Sequence, residues 1–495
     1  MIRGILFALC LFLVNFAFAE STPSADRLLR WGVDLESGAP YSFKDPKNPK
    51  LVIGYEAEMV EAIAKKMGRQ VVIVQNNWEG LVEGLKRKDY DIVVNGLEIT
   101  DERKREVHFS DPYYYCTEVI TVSKTNNNIN SFADLENKRV GTLTGTLAQR
   151  ILVDSKKSYQ IVPYAEEVHL YEDLSLGRLD AVFLDEPIAL YYGKPNPRLK
   201  IVGEPVGEMI YGIASRKEDH QLNQEIQIAL KSIIEDGTMR TILERWGLWN
   251  QKTANAWGMS TDAKTPASSY EEFLNTAWAE RGLWEKIKNY LTFLPILGKG
   301  ALMTLQISIV SMLLAILIGL LVALMRLYGP WPISWIATTY VEVFRGTPLL
   351  IQLYLIFYGL PHLGLSLPPF LAAVIGLGLN YGACESENYR GGINSIPKSQ
   401  TDAALALGLN RWQTLRYVTL PQAMRLVLPP VTNDFIALLK DSSLVSIITM
   451  VELTTIYGQL ASTYFDYLGL GLLTALFYFL IGLPFVRLSR WLEKK

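Results

Sequence analysis

The chain has 495 residues, of which 20% are charged, with a formal net charge of −2 and a mean hydropathy of +0.14. This length predicts about three domains, and the composition excludes a disordered or collagen-like chain. A net charge near zero also argues against nucleic-acid binding. Residues 1–288 hold 76 of the 98 charged residues with a net charge of −6, whereas residues 289–495 have a net charge of +4. The sequence therefore predicts a soluble half followed by a membrane half.

The N-terminus has the pattern of a secretory signal. Arg3 precedes an apolar run at residues 5–16, and Ala17-Phe18-Ala19 forms a small-x-small cleavage site. The run is short for spanning a bilayer, so a cleaved signal peptide at residues 1–19 is favoured over an uncleaved anchor. Either reading predicts that the following domain is exported.

Short β-rich runs alternate with helical patterns over residues 27–250. The β-rich runs include residues 71–74, 91–94 and 181–184, and the helical patterns include residues 58–67, 79–86 and 222–235. This alternation predicts an α/β domain with parallel sheets, and the segment is long enough for two lobes.

The alternation stops at residue 251. Residues 253–269 are rich in Ala, Thr and Ser, which is typical of a linker. Residues 270–288 regain helical spacing, which favours an amphipathic helix at the membrane interface. A helix packed on the soluble domain is the alternative. Residues 251–288 are therefore predicted to be a linker and an interfacial helix.

Residues 289–495 predict an all-α membrane domain of five transmembrane helices. Residues 300–325 and 467–486 are uncharged and long enough to span a bilayer. Residues 346–384 are also uncharged, but prolines divide them into two predicted spans. A fifth, more polar span is predicted within residues 426–455. Lys and Arg are concentrated in the loops on one side, so the positive-inside rule predicts a cytoplasmic C-terminus.

Two neighbouring motifs in the soluble half carry a family resemblance. They are Asn95-Gly96-Leu97-Glu98-Ile99-Thr100-Asp101-Glu102-Arg103 and Phe109-Ser110-Asp111-Pro112-Tyr113. With supporting segments at residues 32–34, 138–146 and 177–185, they resemble the extracellular binding proteins of polar amino-acid ABC transporters. That family shares a Gly-x-[Ser/Thr]-x-Thr-x-x-Arg pattern. The resemblance implies a two-lobed periplasmic-binding-protein fold that closes on its ligand by hinge motion.

The resemblance assigns parts of a bound amino acid to particular residues. Arg103, Thr146 and the backbone N–H of Leu147 match the groups that hold the carboxylate, and an arginine can donate two parallel hydrogen bonds to it. Asp185 and the Gly96 carbonyl match the acceptors of the ammonium group. The predicted ligand-binding residues are Asp34, Tyr41, Trp78, Gly96, Glu98, Arg103, Thr146, Leu147 and Asp185.

Glu98 departs from the family pattern, which often has Ser or Thr at this position. With Asp34 and Asp185 it would place three carboxylates in the cleft, which suits a cationic ligand such as arginine or lysine. Alternatively, Glu98 replaces the hydroxyl as the acceptor of the ammonium group. Tyr41 and Trp78 match aromatic positions that flank the ligand side chain.

A third motif lies in the membrane half. Asp402-Ala403-Ala404, then Gly408, then Val418-Thr419-Leu420-Pro421 match the permease pattern Glu-Ala-Ala-x3-Gly-x9-Ile-x-Leu-Pro. In ABC importer permeases this segment engages the ATPase subunit. The resemblance therefore implies that this chain engages a cytoplasmic ATPase subunit through the same segment. Small residues let a short helix seat closely, Gly408 permits a tight turn, and Pro421 is expected to stop the next element. The predicted coupling residues are Asp402, Ala403, Ala404, Gly408, Leu420 and Pro421.

Together these features predict a fused binding protein and permease of an amino-acid ABC importer in a bacterial inner membrane. The sequence holds no Gly-x4-Gly-Lys-[Ser/Thr] phosphate loop, so ATP and magnesium are expected in a separate ATPase subunit. No cofactor, metal site, catalytic residue or nucleic-acid partner is expected in this chain. Because permeases of this family work in pairs, a homodimer or a second permease is implied. The alternatives are a glutamate-receptor-like ligand-gated channel and an enzyme on the binding-protein fold.

Overall fold

The computed structural model describes residues 27–36, 38–278, 282–464 and 466–493. The predicted signal peptide lies outside these residues. The described chain has an α/β half and a helical half, and each half has buried hydrophobic clusters of its own.

The first lobe is built on a mixed five-stranded sheet. In spatial order its strands are Gln70–Gln75 (β4), Leu28–Val33 (β1), Ile92–Val93 (β5), Ala214–Ser215 (β12) and His108–Phe109 (β6). The first three run parallel, whereas β12 is antiparallel to β5 and β6. Between β1 and β4 in chain order, Phe43–Lys44 (β2) and Val52–Ile53 (β3) form a separate two-stranded antiparallel ribbon.

The second lobe is built on another five-stranded sheet. In spatial order its strands are Leu199–Tyr211 (β11), Tyr114–Ser123 (β7), Ala181–Asp185 (β10), Arg139–Leu143 (β8) and Gln160–Tyr164 (β9). β8 is parallel to β9 and β10, but β7 is antiparallel to β10 and β11. The prediction of wholly parallel sheets is therefore wrong. The chain leaves the first lobe after β6 and returns after β11, so the outgoing and returning strands run in opposite directions.

The helices of this half cover the two sheets. They are Tyr55–Met67 (α1), Leu81–Lys86 (α2), Asp101–Glu106 (α3), Leu147–Asp154 (α4), Glu167–Ser175 (α5), Glu186–Ile188 (α6), His220–Glu235 (α7), Thr238–Arg245 (α8), Gln251–Ala256 (α9) and Ser268–Ala277 (α10). Helix α1 buries Met59, Val60 and Ile63 on one face, which is the helical spacing read from the sequence. The helices predicted near residues 58–67, 79–86 and 222–235 are confirmed.

Residues 251–278 pack on the binding half instead of forming a free linker. Glu244 accepts hydrogen bonds from the backbone N–H groups of Lys264 at 3.1 Å and Thr265 at 2.8 Å. Phe273 is buried against the rings of Phe43 and Tyr191. The expectation of a flexible linker and a membrane-interface helix is thus wrong for these residues. The apolar face of α10 packs on the soluble domain, as the alternative prediction for this helix requires.

The membrane half is helical. Its helices are Leu283–Tyr328 (α11), Trp331–Gly346 (α12), Leu349–Tyr354 (α13), Pro369–Asn394 (α14), Lys398–Ala406 (α15), Arg411–Thr414 (α16), Leu420–Asp441 (α17), Leu453–Tyr464 (α18) and Tyr467–Glu493 (α19). Helices α11 and α14 approach closely at Gly319. A Cβ atom added to this glycine would lie only 2.5 Å from the Cβ of Glu385. Small residues allow this kind of approach between membrane helices.

Among the described residues, two helical segments are long and apolar enough to cross a membrane. They are Ile287–Tyr328 and Tyr467–Leu492. The pair Trp331–Gly346 and Leu349–Leu363 is bent by 108° and counts as a third if it forms one span. The count of five transmembrane helices therefore stays a prediction.

Candidate functional site

A small cavity of about 40 Å³ lies between the two lobes. The loops around it follow strands β5, β8 and β10, at the carboxyl ends where open α/β sheets bind ligands. Six of the predicted ligand-binding residues line it directly. The lining residues are Tyr41, Trp78, Asn95, Gly96, Glu98, Leu143, Thr144, Thr146, Ala165, Glu167, Asp185 and Ile188.

The remaining carboxylate-binding residues meet at Glu98. Arg103 forms an ion pair with the Glu98 carboxylate and also donates to the Glu98 carbonyl at 3.1 Å. The backbone N–H of Leu147 donates to Glu98 Oε1 at 3.1 Å. The Thr146 hydroxyl caps helix α4 by accepting the Gln149 N–H. Of the three donors predicted for a ligand carboxylate, Arg103 and the Leu147 N–H are therefore bound to a carboxylate of the protein, and the Thr146 hydroxyl donates to the Leu143 carbonyl at 2.8 Å.

Asp185 is held by two tyrosines at the end of β10. The hydroxyl of Tyr41 donates to Asp185 Oδ2 at 3.3 Å, and the hydroxyl of Tyr211 donates to the same oxygen. Asp185 Oδ1 has no hydrogen-bond partner among the described residues, although Asp185 is only 4% exposed. Burial raises the pKa of Asp185 to about 7, and the negative charge of Glu98 adds to this increase. An unpaired buried carboxylate oxygen is suited to accept a hydrogen bond from a cationic ligand.

Gly96 brings a turn of the backbone against an aromatic wall. Its φ angle is +61°, and a Cβ atom there would lie 2.8 Å from the ring of Tyr41. Only glycine accepts both this conformation and this approach. The Gly96 N–H donates to the buried Glu56 Oε1 at 2.7 Å, which fixes the turn.

Sequence reasoning missed Glu167. This residue begins helix α5 at the cavity wall and is 2% exposed, and within the described part of the chain its Oε1 atom has no hydrogen-bond partner. Burial raises its pKa well above the usual value, and the charges of Glu166, Asp34 and Asp185 add to this. Its signal in the sequence is its place just after β9, a parallel strand next to β8, where a ligand-facing loop is expected.

Asp34 is not among the residues lining the cavity, in contrast to the prediction. Its carboxylate accepts the backbone N–H groups of Glu36 at 2.9 Å and Trp78 at 2.8 Å, and the Gln75 amide at 3.2 Å. These donors use the carboxylate to hold two loops together. Asp34 therefore positions Trp78, which does line the cavity.

The first lobe contacts the membrane half through the Arg87 side chain and the Pro46 carbonyl. The guanidinium of Arg87 stacks 3.8 Å from the centroid of the Phe357 ring and donates to the Phe357 carbonyl at 3.0 Å. The hydroxyl of Tyr464 donates to the Pro46 carbonyl at 2.6 Å. A desolvated cation on an aromatic face contributes about 2 kcal/mol.

The second lobe also contacts the membrane half. The hydroxyl of Tyr467 donates to Glu166 Oε2 at 3.1 Å, and its ring lies 4.4 Å from the ring of His169. Both lobes therefore contact the membrane half.

The predicted coupling segment forms two short helices joined by a tight turn. Asp402 and Ala403 lie exposed on α15, Ala404 is buried, and Gly408 has a φ angle of +84°. Asn410 and Gln413 then form a capping box at the start of α16. Pro421 lies in the first turn of α17, so the expectation that it stops an element is wrong. Proline is tolerated in a first turn because its missing N–H has no partner there.

The exposed surface near this turn is apolar. Leu407 is 85% exposed and Trp412 is 66% exposed, and Leu405, Tyr417 and Leu420 lie close to them in the sequence. Large exposed apolar side chains of this kind mark protein interaction sites. Within the described ranges, no group of three or more His, Cys, Asp or Glu side chains could hold a metal ion.

Two family models match the chain in tandem. Residues 29–248 match the bacterial extracellular solute-binding proteins, family 3. Residues 315–495 match the binding-protein-dependent transport system inner membrane component.

Individual proteins match each half. The glutamine transport system permease protein GlnP of Escherichia coli (strain K12) is 40% identical over 204 residues, which are 41% of this chain and 93% of that protein. The ABC transporter arginine-binding protein 1 of Escherichia coli (strain K12) is 32% identical over 200 residues, which are 39% of this chain and 82% of that protein. The structure of an ancestral arginine-binding protein bound to arginine has 34% identity and a TM-score of 0.42, and covers 44% of this chain and 98% of its own.

Proposed function

Because this chain belongs to the amino-acid ABC transporters and joins their solute-binding and permease modules, we propose that it captures a cationic amino acid and passes it to its own membrane half for import. Its relatives are transport proteins, so the enzyme alternative falls away and the ligand-gated channel is not favoured. The ligand class, the residues that bind it and the partners are the proposed parts.

The proposal of a cationic ligand rests on the excess of carboxylates around the cavity. Glu98, Glu167 and Asp185 line it, whereas the described lining residues include no lysine or arginine. Arg103 is not among the lining residues but is paired with Glu98, which is. It is the cation available to a ligand carboxylate. A zwitterion needs one cation and one acid from the protein. The further acids are suited to a ligand with a second positive charge, because buried charges require partners.

A binding panel on the full chain in lipid nanodiscs tests the ligand class. Titration calorimetry with arginine, lysine, glutamine and glutamate is expected to give heats of binding for the first two. Binding of glutamine alone would overturn the cationic assignment and leave an amino-acid importer. Protonated Glu167 and Asp185 would favour that outcome, since a neutral carboxyl group can donate a hydrogen bond to an amide.

Glu167→Gln separates the side-chain pocket from the rest of the site. The substitution keeps the size of the side chain and removes its charge, so arginine affinity is expected to fall by at least about tenfold, as for a lost charge-assisted hydrogen bond. Glu172→Gln, an exposed position on the same helix, is the matched control. Equal affinity of the two variants would remove Glu167 from the site.

The contacts of both lobes with the membrane half support direct delivery. Arg87 joins the first lobe to Phe357, and Glu166 joins the second lobe to Tyr467. Because the contacts come from both lobes, their simultaneous formation depends on the distance between the lobes. We expect a closed, ligand-loaded clamp to dock and the opened clamp to release its ligand toward the membrane half.

A separate cytoplasmic ATPase is proposed to bind the coupling segment and to supply the energy from ATP and magnesium. The apolar surface formed by Leu407 and Trp412 beside the α15 helix supports this assignment. Co-purification with a candidate ATPase is expected to be lost on Trp412→Ala. The substitution Trp335→Ala, at another exposed tryptophan of the membrane half, is expected to leave the complex intact.

The chain is an integral protein of the inner membrane. We place its binding half outside and its C-terminus in the cytoplasm, and we expect the permease half to function as a pair, either with a second copy or with another permease. Fusion of alkaline phosphatase after Lys495 is expected to be inactive, because that enzyme works only when exported. An active fusion would reverse the orientation.

A further inference from the structure

One carboxylate of the protein occupies the place that a ligand carboxylate is expected to take. Glu98 Oε1 accepts the Leu147 N–H at 3.1 Å, and Glu98 Oε2 is paired with Arg103. Glu98 and Arg103 belong to the first lobe, whereas Leu147 begins helix α4 of the second lobe. The side chain of Glu98 therefore joins the two lobes.

Both carboxylate oxygens of Glu98 have partners in the protein. The residue is only 2% exposed. Its Oε1 atom lies at the N-terminus of an eight-residue helix, where a negative charge is stabilised. The other end of the Arg103 guanidinium donates to the Gly145 carbonyl of the second lobe at 3.3 Å. One acid and one base of the first lobe thus both reach across the cleft.

The donors that hold Glu98 are the ones predicted to hold a ligand carboxylate. Arg103 is paired with the Glu98 carboxylate, and the Leu147 N–H donates to it. An α-amino acid with its carboxylate on Arg103 would overlap the present position of Glu98. Either the ligand or Glu98 can occupy these donors, but not both.

We propose that Glu98 is an internal substitute for the ligand carboxylate, which holds the empty clamp closed and which an incoming amino acid must displace. The displaced side chain stays in the cleft near Asp185, where it can accept a hydrogen bond from the ligand ammonium. One carboxylate replaces another on Arg103 and on the Leu147 N–H, so the number of charge-assisted hydrogen bonds at these donors is conserved. The displacement step rests on the proposed amino-acid binding, whereas the closure of the empty clamp does not.

This arrangement makes Glu98 a determinant of affinity. The apparent dissociation constant rises in inverse proportion to the fraction of molecules in which the donors are free. If Glu98 leaves them free in about one molecule in ten, it weakens binding about tenfold. A substitution that shortens the side chain but keeps its charge is therefore expected to tighten binding.

Hydrogen exchange of the full chain in nanodiscs without ligand tests the closure. Glu98→Gln and Glu98→Asp are expected to speed amide exchange in peptides containing Gly145–Gln149 by about tenfold or more, the factor for about 1.4 kcal/mol. The control is Glu102→Gln, which removes the exposed pair of Glu102 with Arg150 across the same cleft at 2.6 Å. Exchange in the two Glu98 variants equal to that of the control would overturn the proposal.

Arginine titrations on the same samples test the displacement. Glu98→Asp is expected to bind arginine about tenfold more tightly than the unmodified chain, since it keeps the charge and frees the donors. Weaker binding by both variants together with unchanged exchange would make Glu98 a plain ligand contact and overturn the proposal. If no amino acid binds even to the unmodified chain, the proposed function fails, while the exchange result still decides the closure.

Discussion

The side-chain amide of Gln459, on helix α18 of the membrane half, donates a hydrogen bond of 3.4 Å to the side-chain oxygen of Gln75 in the first lobe. The Gln75 amide donates to Asp34 at 3.2 Å, and Asp34 accepts the N–H of Trp78 at 2.8 Å. Trp78 lines the cavity. These four residues form a continuous hydrogen-bonded path between the membrane half and the ligand cavity.

Gln459→Ala breaks this path at its membrane end. Because the lost contact is a neutral hydrogen bond worth about 1 kcal/mol, transport at saturating ligand is expected to fall about fivefold. Ligand affinity should change by less than twofold, since Gln459 is not among the residues that line the cavity. Uptake into proteoliposomes and calorimetry on the same preparation measure the two effects. The control is Gln422→Ala, whose side chain donates to the Val418 carbonyl four residues earlier in the chain.

Arg103→Ala is expected to abolish amino-acid binding. Two hydrogen bonds between a guanidinium and a carboxylate are lost, which corresponds to at least about a hundredfold loss of affinity. Arg150→Ala, which removes an exposed arginine from the other side of the cleft, should stay within about twofold, as is typical of surface ion pairs. Calorimetry with arginine measures both. An unchanged affinity of the Arg103 variant would contradict the carboxylate assignment.

The parts of the site that sequence could predict are those set by short-range spacing. Gly96, Glu98 and Arg103 lie within eight consecutive residues, so the turn and helix between them fix their relative positions. The role of Asp34 was not predictable, because it depends on the N–H of Trp78 and the amide of Gln75, which a different part of the chain brings to it.

The fold shows the same division between local and distant information. Helices such as α1 and α7 follow from periodicity in one segment. The packing of Phe273 on Phe43 and Tyr191 joins segments that are far apart in the sequence. Residues 251–278 therefore look like a linker until the surface on which they pack is known. The antiparallel strands β7 and β11 likewise depend on where the chain crosses between the lobes.

The pKa of Asp185 predicts a pH dependence. Burial raises it to about 7, with the charge of Glu98 adding, from a usual value of 3.8. A cationic ligand binds the ionised form, so affinity for arginine is expected to fall up to about tenfold for each pH unit below 7 and to level off above 8. Calorimetry between pH 5.5 and 8.5 should show this trend, and Asp185→Asn should bind weakly with little dependence on pH. A flat profile in the unmodified chain would exclude Asp185 as a titrating contact.

The same group has an opposite effect on the stability of the empty protein. The folded chain keeps a proton on Asp185 that the unfolded chain releases near pH 3.8. Its contribution to stability is therefore fully present below that pH and is lost as the pH rises to about 7. Without ligand, Asp185→Asn is expected to raise the melting temperature at pH 8 more than at pH 4. An equal change at both pH values would show that the substitution acts through packing alone.

Gly408 is expected to be essential for coupling to the ATPase. Its φ angle of +84° is in the left-handed region, and apart from Gly408 itself and its chain neighbours no atom of the described residues lies within 4 Å of the position of an added Cβ. Gly408→Val therefore acts through the backbone alone, at a cost of about 1–2 kcal/mol in this turn, and shifts Leu407 relative to Asn410. Ligand-stimulated ATP hydrolysis by the assembled transporter is expected to fall about tenfold, by the equivalence of about 1.4 kcal/mol to a factor of ten. Ligand binding should not change.

Gly391→Ala is the matched control for this turn. Gly391 lies in helix α14 with nothing within 4 Å of an added Cβ and without a positive φ angle, so alanine fits its helical conformation and is favoured there. ATP hydrolysis in this variant is expected to equal that of the unmodified chain. If both variants lose hydrolysis to the same extent, the left-handed turn at Gly408 has no special role. If only Gly408→Val loses it while arginine still binds, the turn between α15 and α16 transmits the motion of the ATPase.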